Sequence, residues 1–504
     1  MTPYFLLLTY LALSVGGCYG YVRMCYYTNW AQYRGFKPNK IDPFVCTHIV
    51  YAFAKLQGTN ILDIEWNDPT IQAGVIGLKS TNPSLKVILA IGGWNADNTQ
   101  YVNLVANDTA MQAFADNAIT YLRQRGFDGL DLDWEYPANL NRRGTAADRV
   151  QFTRWLQILQ NNFIAESAAT NQPRLLLTAA VAASMPTANN YYEVAKIGNY
   201  LDILNLMTYD FHGSWDGPSL GVQHHSALYP EGNSSVIGWI AAGFPANKIA
   251  MGMGAYGRSY TLNAQPTGNG IGASPSGYSQ YNYKVICGKL NAGYQLIQLT
   301  NQGVVAALGQ KFGQWEWIGF DNPSSFALKA NYIRVNGLAG SMVWALDQDD
   351  ENNTCGGGNY PLLSTLQQQL PAATVGNAGK NRRRKPKQIP GGNNVGNVAG
   401  NVAGNLVGNA AGNVVGNVVG NIVGNAAGNI AGNAAGNAAG IAVGNAAGNA
   451  AGNAVGNAAG NAAANAGGNA VGNAAGNAAG NAAGNAAGNA AGNAGKDGAA
   501  EIDD

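Results

Sequence analysis

Three carboxylates at every second position carry the most chemistry in this chain. In Asp128-Gly-Leu-Asp-Leu-Asp-Trp-Glu135 an extended backbone puts Asp131, Asp133 and Glu135 on one face and Leu130, Leu132 and Trp134 on the other. The apolar face must pack on a core, so the acidic face looks into a second, enclosed space. Burying carboxylates in a row is costly, because lost hydration and mutual repulsion both disfavour their ionised forms. A structural role does not account for that cost, whereas proton chemistry does. Crowded carboxylates push one another's pKa apart, and one that stays protonated near neutral pH can donate. Glu135, the last of the row, is the candidate donor. A calcium loop would need polar, turn-forming residues between the acids. Leu130, Leu132 and Trp134 are the reverse, so neither a metal nor another cofactor is expected.

The elements that must hold this row are short, β-rich apolar runs separated by helical stretches. Strands are predicted at Val22–Tyr27, Thr47–Ala54, Lys86–Gly92, Gly129–Glu135, Leu175–Val181, Ile203–Tyr209, Lys248–Ala255 and Gly340–Leu346. Helical segments such as Asp108–Arg125 and Ala147–Glu166 lie between them. Eight strands alternating with helices indicate α/β architecture closed into a (β/α)8 TIM barrel. Its inward face would carry the carboxylates, with Glu135 nearest the C-terminal mouth where barrel active sites lie. The stretch from about 260 to 319 is too long for one helix and is rich in Gly, Tyr, Asn, Ser and Gln, which reads as an inserted α+β subdomain.

Composition sets the outer limits of the folded part. All ten tryptophans lie between Trp30 and Trp344, and no aromatic residue follows Tyr360. The compact domain is therefore predicted over about 21–370, because a part without large side chains cannot offset its chain entropy by burial. Residues 371–396 read as a linker containing the basic cluster Arg382–Lys387. From 397 to 495 a Gly-Asn-x-x unit repeats, and residues 496–504 form an acidic end. The repeat reads as a flexible, disordered spacer. The alternative is a self-associating array, since a period of four keeps asparagines on one strand face where they can ladder.

Residues 1–20 read as a secretory leader, with an apolar run from Phe5 to Val15 too short to span a bilayer and small residues after it. Val15-Gly-Gly-Cys18 also resembles a lipoprotein cleavage box, but the basic residues expected before such a run are missing. Cleavage near Gly20 leaves Cys25, Cys46, Cys287 and Cys355, which allow two disulfides in any of three pairings. Acceptor sequons at Asn107, Asn233 and Asn352 fit export to an extracellular location. A net charge of +1 gives no field that selects nucleic acid, and no membrane attachment is expected once the leader is removed.

The acidic segment resembles the Asp-x-x-Asp-x-Asp-x-Glu signature of family 18 glycoside hydrolases, most closely the animal chitinases of the chitotriosidase and acidic chitinase type. The resemblance runs over about 21–370. It includes Cys25-Tyr-Tyr-Thr-Asn-Trp30, Tyr51-Ala-Phe53, Ala90-Ile-Gly-Gly-Trp94, Asn205-Leu-Met-Thr-Tyr-Asp-Phe-His-Gly-Ser-Trp215, Tyr256-Gly-Arg-Ser259 and Met342-Val-Trp-Ala-Leu-Asp347. It implies a secreted, endochitinase-like enzyme cutting β-1,4 bonds of N-acetylglucosamine polymers, with chitin or chito-oligosaccharides as substrate. It further implies a retaining reaction in which the sugar's own 2-acetamido oxygen is the nucleophile.

By the same resemblance Glu135 is acid and then base, Asp133 its partner and that of the acetamido N–H, and Asp131 a deeper support. Tyr209 donates to the acetamido oxygen, Asp210 contacts the sugar, and Met207 lies under the reacting ring. Trp30, Trp94, Trp215 and Trp344 become stacking platforms, joined by Tyr26, Tyr256 and Arg258. His212 becomes a structural neighbour of the Tyr209–Asp210 pair. The implied disulfides are Cys25–Cys46 and Cys287–Cys355. One departure stands out: the cysteine-rich chitin-binding module that often ends such proteins is absent, and the tail offers no aromatic platform in its place. The rival readings are a non-catalytic chitin-binding lectin, whose kind typically lacks the terminal acid, and a chitin-matrix structural protein.

Overall fold

The computed structural model describes residues 20–216 and 219–372. Residues 1–19 of the expected leader, and the expected linker from residue 373 with the repeat and acidic end, lie outside the described residues.

The strands are β1 (Val22–Thr28), β2 (His48–Gln57), β3 (Asn60–Leu62), β4 (Lys86–Gly92), β5 (Gly129–Asp133), β6 (Leu176–Ala182), β7 (Ile203–Met207), β8 (Ile249–Gly254), β9 (Tyr256–Leu262), β10 (Pro275–Asn282), β11 (Gln295–Leu299), β12 (Val304–Lys311), β13 (Gln314–Phe320) and β14 (Gly340–Trp344). Eight of them, β1, β2, β4–β8 and β14, pair side by side in parallel. β1 pairs with both β14 and β2, which closes the sheet into a (β/α)8 barrel. β3 only folds back on the end of β2 as a hairpin.

Alternation along each strand divides two cores. On β1, Met24 and Tyr26 point into the barrel, while Cys25 and Tyr27 join the layer between barrel and helices. On β5, Leu130 and Leu132 belong to that outer layer, as does Trp134 just beyond the strand, which stacks on Tyr101 with centroids 5.5 Å apart. The helix Asp108–Arg125 packs in this layer through Met111, Phe114, Ala115, Ala118 and Leu122. It starts where Asn107 accepts from the Thr109 and Ala110 N–H groups, and stops at a left-handed Gly126.

Three strands end two residues earlier than their sequence pattern suggests, the last of them Gly340–Leu346, which stops at Trp344. The segment Gly129–Glu135 is paired only to Asp133, and Ile203–Tyr209 only to Met207. Beyond Asp133 the pairing is exhausted, its carbonyl accepting from Gly93 N–H at 2.8 Å. Beyond Met207 the chain turns tightly, with Thr208 N–H donating to Leu206 O. Glu135 and Tyr209 are thus carried on the loops at the barrel mouth.

Between β8 and β14 the chain builds a second, five-stranded antiparallel sheet in the order β10-β9-β13-β12-β11, with the helix Tyr283–Asn291 against it. This sheet runs from Tyr256 to Phe320, a little wider than the span expected from composition. Cys25–Cys46 ties β1 to the approach of β2, and Cys287–Cys355 ties the inserted helix to the segment after β14. No helix among the described residues is long and apolar enough to cross a membrane.

Candidate active site

A cleft of about 1150 Å³ opens at the C-terminal end of the barrel strands, with Asp133 and Glu135 in its lining. The backbone comes unusually close there. A side chain at Gly92 would meet the Asp133 carbonyl oxygen at 2.0 Å, and one at Gly93 would meet the Phe53 ring at 2.6 Å. Both glycines also hold positive φ, so the Gly-Gly before Trp94 has a double cause.

Asp131 is wholly buried and fully partnered. Its Oδ2 accepts from Tyr26 OH at 2.7 Å, and its Oδ1 accepts from Thr178 Oγ1 at 2.5 Å and Asn205 Nδ2 at 3.0 Å. Burial still raises its pKa, against the pull of those three donors. Asp133, two residues on, is also buried, and its Oδ1 has no hydrogen-bond partner among the described residues. Burial, then the charges of Glu135 and Asp131, push its carboxyl well above the ordinary range. Glu135 is pushed up to about 7, chiefly by burial; a hydrogen bond from Tyr136 and the charge of Arg142 oppose that rise, and Asp210 adds to it. The row is therefore graded from a carboxyl held by three donors to one that keeps its proton near neutral pH.

Asp210 faces this row from the loop after β7 and has the opposite electrostatics. Burial works against its charge, but the His225 ring and the Arg258 guanidinium overcome it and hold the carboxyl below its usual range. Arg258 makes a fork, Nε to Oδ1 at 2.7 Å and Nη2 to Oδ2 at 2.6 Å, and Tyr256 OH donates to Oδ1 at 2.5 Å. Tyr209 sits edge-on to Tyr256, and burial keeps its hydroxyl protonated. Met207 and Tyr209 flank the inner core beside Met342 and Trp344.

Aromatic residues make the walls. Trp344, Phe53 and Trp30 form one cluster, with centroids 5.8 Å apart for Phe53–Trp344 and 6.2 Å for Trp30–Trp344. Trp94 and Trp215 stand at the rim, both more than half exposed. Each is covered on one face by a guanidinium, Arg142 over Trp94 at 4.1 Å and Arg258 over Trp215 at 4.5 Å.

Every site residue named from the sequence comes to this cleft or directly beneath it, but not all face it alike. Tyr26 and Tyr256 are nearly inaccessible, and their hydroxyls serve Asp131 and Asp210. His212 pairs with Asp216 at 3.1 Å and approaches Glu231 at 3.6 Å, rather than holding Tyr209 or Asp210. Thr178, Asn98 and Arg142 escaped the sequence reading. Thr178 had a faint signal, a hydroxyl on the inward face of an otherwise apolar strand; Arg142 had none, since it works across a loop.

A closed β/α barrel with a desolvated carboxylate row under aromatic walls defines a sugar-cleaving enzyme. Residues 22–349 match the model of the glycosyl hydrolases family 18, and the chain belongs to that family of glycoside hydrolases. It is 37% identical over 388 residues to mouse Chitotriosidase-1, covering 73% of this chain and 80% of the mouse protein. The structure of an immunomodulatory active chitinase from Trichuris suis superposes with a TM-score of 0.64 at 32% identity, over 69% of this chain and all of that one. Human YKL-39, described as a pseudo-chitinase with retained chitooligosaccharide binding, superposes with a TM-score of 0.64 at 31% identity, over 69% of this chain and 99% of that one.

Proposed function

We propose that this protein is a secreted chitinase that hydrolyses β-1,4 bonds of N-acetylglucosamine polymers by a retaining, substrate-assisted reaction. One feature carries the reading: Glu135, whose carboxyl is pushed up to about 7 by burial, lies at the cleft beside Asp133, whose buried Oδ1 has no donor among the described residues. A 2-acetamido N–H supplies such a donor. In the first step Glu135 gives its proton to the glycosidic oxygen as the bond from the anomeric carbon to that oxygen breaks. The acetamido oxygen forms the new bond to the anomeric carbon, giving a cyclic oxazolinium ion. Asp133 stabilises the positive charge on the ring nitrogen, and Tyr209 OH donates to the acetamido oxygen and orients it. Glu135, now ionised, takes a proton from water as the water attacks the same carbon; the bond from that carbon to the acetamido oxygen breaks, which restores the acetamido group and leaves the configuration retained.

Asp131 holds Asp133 in a field set by Tyr26, Thr178 and Asn205. Trp344, with Trp30 and Phe53, offers an apolar floor to a sugar face, while Trp94 and Trp215 offer platforms at the rim. Asp210, fixed by Arg258 and Tyr256, presents a charged acceptor to sugar hydroxyls. The leader composition and the exposed sequons Asn107 and Asn352 support export.

The relation to a pseudo-chitinase favours one second reading, a lectin that binds the sugar without cutting it. Release of a fluorophore from a chitobioside by wild type and by Glu135→Gln separates the two. Turnover by wild type and none by the variant is expected; binding without turnover by the wild type would establish the lectin instead.

A further inference from the structure

The loop that follows Glu135 contains a cation that no part of the reaction above uses. Residues 138–144 close on themselves, with Arg142 N–H and Gly144 N–H both donating to Asn139 O at 2.9 and 2.8 Å. The loop is anchored at its far end by Asp148, which accepts from Ala138 and Thr145 N–H and from Thr145 Oγ1. From this frame two side chains cross to the segment after β4. Arg143 Nη1 donates to Thr99 Oγ1 at 3.2 Å, and Arg142 Nη2 donates to the Trp94 carbonyl. The Arg142 guanidinium also lies over the Trp94 indole, 4.1 Å from the ring centroid. The return contact comes from Asn98, which is 6% exposed. Its Nδ2 donates both to the Arg142 carbonyl and to the Glu135 carbonyl, each at 3.2 Å.

These contacts make a closed circuit from the Trp94 ring through Arg142 and Asn98 to the backbone of Glu135. We infer that Arg142 is a positioning residue which fixes the Trp94 platform relative to the proton donor, so that a sugar stacked on Trp94 meets Glu135 in register. This rests on the reading of Glu135 as donor. An exposed indole with no second partner samples several rotamers, and ordering it at each binding event weakens affinity. A planar cation on one face, itself tied to the Trp94 backbone, removes that freedom and leaves the other face for substrate.

The charge has a second consequence. The titratable groups around Glu135 are Asp133 and Tyr136 on its own segment, Tyr192 beyond β6, Tyr209 and Asp210 after β7, and Arg142. Of these only Arg142 is cationic, and it favours the ionised carboxylate, lowering the pH at which the donor loses its proton.

The test compares wild type, Arg142→Ala, Arg142→Lys and Trp94→Ala on chitohexaose, with KM, kcat and the pH dependence of kcat/KM measured for each. Arg142→Ala should raise KM roughly tenfold, a change the lost stacking can supply. It should also move the basic limb, near pH 7 in wild type, to higher pH. Trp94→Ala should raise KM to a similar degree and leave the limb in place. Arg142→Lys keeps the charge but not the planar guanidinium, so it should leave the limb in place and raise KM partway. A wild-type KM and limb in Arg142→Ala overturn the inference, as does a loss of kcat that merely tracks the folded fraction. Glu135→Gln runs alongside: if it turns over substrate, the donor assignment fails whatever Arg142 does, and if it is inactive, the Arg142 result stands by itself.

Discussion

Replacing the proposed acid should make the fold more stable where the acid would be charged. Burial holds the Glu135 carboxyl at about 7 against an ordinary 4.5. At about 1.4 kcal/mol per pH unit, ionising it inside the fold costs about 3 kcal/mol more than ionising it in the unfolded chain. The folded state thus binds this proton more tightly. That contribution is fully present below about pH 4.5 and is lost as pH rises through about 7. Glutamine has no proton to lose and nearly the same shape, so Glu135→Gln escapes the loss. Asp133 acts in the same direction, because the charge of Glu135 is one of the causes holding its carboxyl up.

Denaturant unfolding of both proteins at pH 4 and pH 8 measures the effect as a difference of differences. Any pH-independent cost of the glutamine cancels in that comparison. The variant should gain about 3 kcal/mol on wild type between the two pH values while losing turnover. A stability difference that does not change with pH, or one that moves against the variant at pH 8, would refute the claim that burial keeps this carboxyl protonated.

Tyr26→Phe removes the donor at Asp131 Oδ2, since Thr178 and Asn205 both go to Oδ1. Stability should fall by about 2 kcal/mol and kcat should drop, as read by urea unfolding and chitobioside turnover; unchanged values in both would show that Asp131 does not depend on Tyr26. The two disulfides close chain separations of 21 and 68 residues. Their paired Cys→Ser variants should lose about 3 and about 4 kcal/mol respectively, with the Cys287–Cys355 pair the larger in thermal and denaturant unfolding; a reversed order would place the effect in native strain rather than chain entropy.

Much of this architecture was readable in one dimension because its signals are local. The period of two in Leu130, Asp131, Leu132 and Asp133 assigns each residue to a face before any partner is known. Eight such runs at helical spacing imply closure, and the helix at Asp108–Arg125 declares itself by an asparagine before it and a glycine after it. The candidate donor was legible because it continues the alternation of two carboxylates on the inward face of a core strand, although the chain carries Glu135 itself on the loop just past that strand.

What only the tertiary structure decided is which group satisfies which. Tyr26, Thr178 and Asn205 come from β1, β6 and β7, and they converge on Asp131 because the barrel closes. Asp133 is left with an oxygen that has no partner among the described residues, and that asymmetry separates the roles of two chemically identical side chains. The Arg142 guanidinium on Trp94 and the Asn98 bridge to Glu135 join loops about forty residues apart. A sequence fixes the face of each residue through backbone geometry, but hydrogen-bond partners and desolvation depend on what the fold brings across the barrel, and those set the proton affinity of Glu135.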